Sequence, residues 1–295
     1  MADLGFIARH PVLRFLLIPL LFTICFVLSL ALSFPYDTLA RRLEYEAGRA
    51  GYEMTIGKLG HTGLFGLRAI DLKVRDPNNS FELDRVDVKP EIFALLLRRP
   101  AFSFSFDGYG GSGHGHASLA KDTGQLSALT LDAKEVDLHA VLHNLIVGID
   151  VAGRATLKID LPSLTPDAAT GQVSLSVKDA AISGGTVMGF PIPKTALGAL
   201  EATAQVDKNV VKVDKAGLHG GDVDADLDGT VQLRPLRSLS IADLHVKFRP
   251  VEKWLNDNPM IRGSMGFVQN GKQSDGSYLF TLSGPISALQ PRPGR

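Results

Sequence analysis

Hydrophobic and polar positions follow three different periods along this 295-residue chain. The first stretch, Val12 to Phe34, has no period: from Phe15 to Leu32 it carries no charge, and Thr23 and Ser29 are its only polar side chains. A hydrocarbon core roughly 30 Å thick takes about 20 apolar residues as helix, so this stretch predicts a membrane anchor. It is longer than the roughly 7–15-residue core of a cleavable export signal. Pro35 ends it, and Asp37 is placed to cap a second helix. There Leu39, Leu43, Ala47 and Ala50 recur at three- and four-residue spacing among Arg41, Arg42, Glu44, Glu46 and Arg49. That pattern predicts an amphipathic helix over 35–51, stopped by Gly51 and packed on the first strands through Leu39 and Leu43.

From Met54 the period is two. Runs such as Phe81–Val88, Ala101–Phe106, Leu126–Leu131, Ala152–Leu161, Gln172–Ile182, Leu200–Val206, Val210–Leu218, Asp222–Leu233, Ile241–Phe248, Gly263–Val268 and Tyr278–Leu282 read as strands. Gly108–Gly115 and Gly266–Lys272 read as turns, and Pro90–Arg99, Leu138–Leu145 and Val251–Asn256 as short helices. Strand follows strand almost throughout. The fold class is therefore mainly β: an N-terminal transmembrane helix, then a large antiparallel sheet with one apolar and one wet face. The division is a tail at 1–11, the anchor at 12–34, the helix at 35–51 and a β-rich body at 52–290. Phe190-Pro191-Ile192-Pro193 does not suit a central strand and predicts two halves of the sheet meeting near 184–196.

Composition narrows the function classes. Lys plus Arg number 31 against 31 Asp plus Glu, so there is no basic footprint for nucleic acid. The single cysteine, Cys25, lies in the apolar stretch, which excludes an internal disulfide or a cysteine metal cluster. Arg9, His10 and Arg14 before the anchor nearly balance Arg41 and Arg42 after it. A short tail with no domain of its own stays most simply in the cytoplasm, which exports the large C-terminal body.

Sites for chemistry are few. Asp224, Asp226, Asp228 and Gly229 match the start of a calcium loop, but Pro235 stands where a Glu is needed and the flanks are strand. GFVQNGK at 266–272 has phosphate-loop spacing, yet Gln273 occupies the Ser/Thr position and no helix follows. His114 with His116, and His139 with His143, each offer two metal ligands without a fixed third. No G-x-S-x-G, H-E-x-x-H, C-x-x-C or G-x-G-x-x-G occurs. These patterns predict no catalytic, cofactor or metal site. The apolar sheet face is the alternative working surface, with Phe102, Phe104, Phe106, Ile92 and Leu95 as its candidate groove residues.

The order and spacing of several segments resemble the protein N family of the type II secretion system. They are FPYDTLARRLEYEAGRAGYEMTIGKL, GLFGLRAIDLKV, FELDRVDVKPEIFALLL, FSFSFDGYGGSGHG, FPIPKTALGALEATAQV, DVDADLDGTVQLRPLRSLSIADLHVKFRP and FTLSGPISALQPRP, covering about residues 10 to 293. Similar strand patterns occur in the wider AsmA-like group of envelope proteins. The resemblance implies a non-enzymatic, single-pass inner-membrane protein with its main domain in the periplasm. Its partners would be the membrane and other secretion-system proteins, with no cofactor. From the AsmA-like likeness comes an alternative: a curved sheet that binds or transfers lipid.

Overall fold

In the computed structural model the described residues are 33–63, 65–75, 80–97, 100–143, 148–164, 169–187, 190–234 and 240–294, with positions 21, 22, 25, 26 and 29. Most of the expected anchor, Val12 to Phe34, lies outside them. Among the described residues no helix is long and apolar enough to cross a membrane.

Two-residue alternation builds one antiparallel sheet of fourteen strands. Its strands in chain order are β1 (Glu53–Thr62), β2 (Gly66–Arg75), β3 (Ser80–Pro90), β4 (Ala101–Gly108), β5 (Gly111–Leu119), β6 (Leu126–Asp137), β7 (Ile149–Ser163) and β8 (Thr170–Gly184). After a separate two-stranded hairpin of β9 (Thr186–Val187) and β10 (Phe190–Pro191) come β11 (Thr195–Asp207), β12 (Val210–His219), β13 (Val223–Gln232), β14 (Ile241–Pro250), β15 (Tyr278–Pro285) and β16 (Gln290–Pro293). Each strand pairs with its neighbour in sequence, except that β8 pairs directly with β11 across the hairpin. The Pro-rich segment near 184–196 is thus an excursion beside the sheet, and the ladder between Thr170 and Asp207 continues past it.

Among the described residues from Tyr36 onward, five α-helices accompany the sheet. α1 (Tyr36–Arg49) lies along β1; α2 (Ile92–Leu96) joins β3 to β4, and α3 (Leu138–Leu142) joins β6 to β7. α4 (Glu252–Asp257) and α5 (Pro259–Ser264) follow β14 and run into a 3-10 segment, Met265–Gly271. The expected strand Gly263–Val268 and the expected hairpin turn Gly266–Lys272 are therefore corrected to helix. Short apolar runs carry no period that separates strand from helix. The expected turn Gly108–Gly115 is corrected as well: the turn is at Tyr109 and Gly110, and Gly111 onward is strand. Glycine is needed there for space, since a Cβ on Gly113 or Gly115 would lie about 2.4–2.5 Å from the Phe106 ring and the Phe104 ring respectively.

α1 begins directly after Pro35, with Asp37 in its first turn and no side-chain cap. Leu39 is half-buried, as expected, but Leu43 is exposed. Glu44 takes its place toward the sheet: its carboxylate accepts a 2.8 Å hydrogen bond from Ile56 N–H, an edge group of β1 with no strand beyond it. The helix is thus rotated from the leucine stripe by the demand of an open sheet edge.

On the wet face, Arg68 of β2 makes a two-point contact with Asp87 of β3, Nε–Oδ1 2.6 Å and Nη2–Oδ2 2.8 Å, and also donates to Thr62 Oγ1. Arg68 holds the Asp87 carboxyl below the ordinary carboxylate range. A depressed carboxyl adds stability above about pH 4 and loses it as pH falls through the lowered value. Asp87→Asn is expected to lower stability by about 0.2–1 kcal/mol at neutral pH, the scale of partly solvated pairs. Urea midpoints of the two proteins should converge as the pH falls through the lowered value of Asp87.

Candidate functional site

Residues directly opposite in an antiparallel pair share a face, so the register traces each face across the sheet. One row reads Val88, Phe104, Gly115, Leu131, Ile159, Val173, Ala204, Val213, Gly229, Leu244, Leu282 and Pro291, one residue from each of twelve strands, β3 to β8 and β11 to β16. A parallel row reads Val86, Phe106, Gly113, Ala133, Leu157, Leu175, Ala202, Ala216, Leu227, Val246, Phe280 and Pro293. Neither row contains a polar side chain. The opposite face reads Lys89, Ser103, His116, Thr130, Asp160, Gln172, Gln205, Lys212, Thr230, Asp243, Ser283 and Gln290, with no hydrophobic residue.

The apolar face is only half covered. From Val88 to Leu282 every side chain of the first row is half-buried, shielded by its neighbours in the sheet. A face packed under a second layer would be buried throughout. Only ten hydrophobic residues among the described ones are buried, and six of them are alanines. The chief cluster is Ala155, Val177 and Ala180, with Leu138 of α3 packed on it. A second roof stands over the same end of the strands at β14, where the segment after Val251 and the residues after β10 meet Phe248. That end is covered, and the remaining length of the strands is open.

Phe102, Phe104 and Phe106 lie together on the apolar face of β4, half-buried, with the last two rings resting on the glycines of β5. Ile92 and Leu95 sit apart from that row, exposed on α2 at the end of β3 and β4. Sequence reasoning missed the roof at β14, lined by Ile182, Ile192, Trp254, Ile261 and Met265. The available signal was the chain's single tryptophan, Trp254, which falls inside the expected helix Val251–Asn256.

The wet face holds ion pairs in register. Asp224, Asp226 and Asp228 of β13 face Arg249, Lys247 and His245 of β14, so the acidic run is one side of a charge ladder. Arg249 Nη2 lies 3.9 Å from Asp224, and His219 lies 3.4 Å from Asp226. Lys247 reaches across at 2.7 Å to Asp275, whose carboxyl is driven well below the usual range by that contact and by Ser277. Asp222 instead ties β11 to β13, its carboxylate accepting from Ala196 N–H at 2.7 Å. His116 pairs with Glu91 at 2.9 Å and His139 with Asp150 at 2.5 Å. One histidine of each expected pair is thus drawn to a carboxylate, and no group of three or more metal-ligating side chains forms among the described residues.

Comparison with protein-family models, curated proteins and solved structures returned no match.

Proposed function

We propose that this chain is a non-enzymatic accessory component of the type II secretion system, anchored in the bacterial inner membrane, and that its periplasmic sheet binds lipid acyl chains on its apolar face. The observation that carries the lipid part is the unbroken apolar surface, two rows across twelve strands, left half-covered. Soluble proteins rarely leave so large an apolar area without an occupant. A right-handed strand twist accumulated over that many strands curves a sheet into a trough, which suits an extended hydrocarbon chain.

Two further observations support the anchor. α1 starts at the strand end where β1 turns into β2, with Tyr36 6.3 Å from His61, so the chain enters there directly after the apolar stretch. Connections at that same end expose Phe65, Ile92, Leu95, Leu97, Leu233 and Ile286. Such a rim suits contact with a bilayer interface. The secretion assignment draws on the resemblance of the segments quoted above. The alternative is an AsmA-like lipid-transfer protein of the envelope with no part in secretion.

Two experiments test these readings. Native and then denaturing mass spectrometry of membrane-extracted protein should show an intact N-terminus and lipid at fixed stoichiometry; protein free of lipid would overturn the lipid part. Deletion of the gene should reduce the release of folded exoproteins. Normal secretion in the null strain, with lipid still bound, would leave the AsmA-like alternative.

A further inference from the structure

An antiparallel sheet gathers its connections at two ends. One end holds the links β1–β2, β3–β4, β5–β6, β7–β8, β11–β12, β13–β14 and β15–β16. Six of these seven carry an exposed large hydrophobic side chain in the link or at its edge: Phe65, Leu95, Leu126, Val210, Leu233 and Ile286. The link from β7 to β8 lies partly outside the described residues. One such side chain on a surface is ordinary, but a series of them along one end of a sheet marks an interaction surface. At the other end α3 and the roof at β14 close the apolar face, and the exposed Met260 and Phe267 belong to that roof.

A second observation fixes what the rim faces. The uncharged stretch from Phe15 to Leu32 leads into α1 at this same end. The Phe34 ring is 5.0 Å from Tyr36, and Tyr36 is 6.3 Å from His61, near the end of β1. The chain from Leu32 to Tyr36 reaches at most about 14 Å even when fully extended. An anchor formed by that stretch therefore keeps this end of the sheet beside the bilayer.

The apolar face also runs up to the rim without a polar break. A third row, nearest this end, places Phe102, Ala117 and Leu129 side by side on β4 to β6, and Val211, Val231 and Ala242 on β12 to β14. We propose that the rim is a membrane-docking surface, seated in the interface of the leaflet into which the anchor emerges. The strands then stand upright on the bilayer, the apolar face opens to acyl chains at its foot, and the roofed end points away. The proposal rests on the anchored, lipid-binding reading above and adds the surface by which the sheet meets the membrane.

The test uses the full chain with Cys25→Ser, reconstituted in vesicles of phosphatidylethanolamine and phosphatidylglycerol. Single cysteines replacing Leu95, Leu233 or Ile286 at the rim, or Ser112 or Asp257 at the other end, carry an environment-sensitive dye. Doxyl-labelled phosphatidylcholine should quench the rim dyes at least about threefold more than the distal ones, with emission shifted to the blue. Leu233→Asp combined with Ile286→Asp should lower quenching at position 95 by about half or more, while flotation with the vesicles and circular dichroism stay as in the wild type. Equal quenching at the two ends, or quenching at position 95 unmoved by the aspartates, would overturn the docking surface. Lipid retained in native mass spectrometry would then still support the lipid-binding reading. A chain that fails to float with the vesicles would overturn the anchor and the docking surface together. Rim quenching in a protein that retains no lipid would uphold the docking surface and remove the lipid-binding reading.

Discussion

Val177→Asp is expected to destabilise the protein by about 4–5 kcal/mol, enough to unfold many single domains. Val177 is 1% exposed and sits between Ala155 and Leu200 in the ladder, under Leu138 of α3. A carboxylate there has no water and no cation in the buried cluster around it, so it must either take up a proton or open the roof. Urea denaturation followed by circular dichroism measures the loss directly. A drop of less than about 1 kcal/mol would mean that α3 lifts away easily and that the cluster is no true core.

The same substitution at Leu131 is expected to act on binding instead. Leu131 lies on the same apolar face, between Gly115 and Ile159, but is half-buried with no roof. Its carboxylate can stay hydrated by turning outward, so the stability cost is about 1–2 kcal/mol. An acyl chain laid across that row would meet a charge. Phospholipid retained by the purified protein should fall at least tenfold in Leu131→Asp, read by mass spectrometry against the wild type. A variant that folds and keeps its lipid would exclude this row from the binding surface. The two substitutions place one chemical change in two settings: under the roof it breaks the fold, and on the open face it removes the function.

Much of this architecture is legible in the sequence because alternation is a local property. Phe102, Phe104 and Phe106 against Ser103 and Ser105 state their faces without knowledge of any partner. Partners are what the sequence withholds. Gly113 and Gly115 look like turn residues until the rings of Phe106 and Phe104 are laid over them from the next strand. Leu43 fits the helical stripe, yet the free edge of β1 takes up Glu44 and turns the helix. Met265 to Val268 is too short and uniformly apolar to declare a period, and only contact with the roof makes it helical. The pocket under the roof at β14 draws residues from β8, the stretch after β10, the start of β11, β14 and the helices beyond it, from Ile182 to Val268. No pattern along the chain joins them.

The connection order bears on how such a chain acquires its structure. Nearly every strand lies beside the one made just before it, and the single skip, from β8 to β11, spans only a short hairpin. Closing short loops costs little entropy, and topologies rich in near-neighbour pairings form quickly for their size. The sheet therefore zips: each completed strand becomes the template for the next, much as stacked repeats propagate from one unit to the following one. Growth of that kind sets no natural number of strands, and it needs a stop. β16 supplies one, because Pro291 and Pro293 remove two backbone donors from the last strand and leave a poor template for a fifteenth.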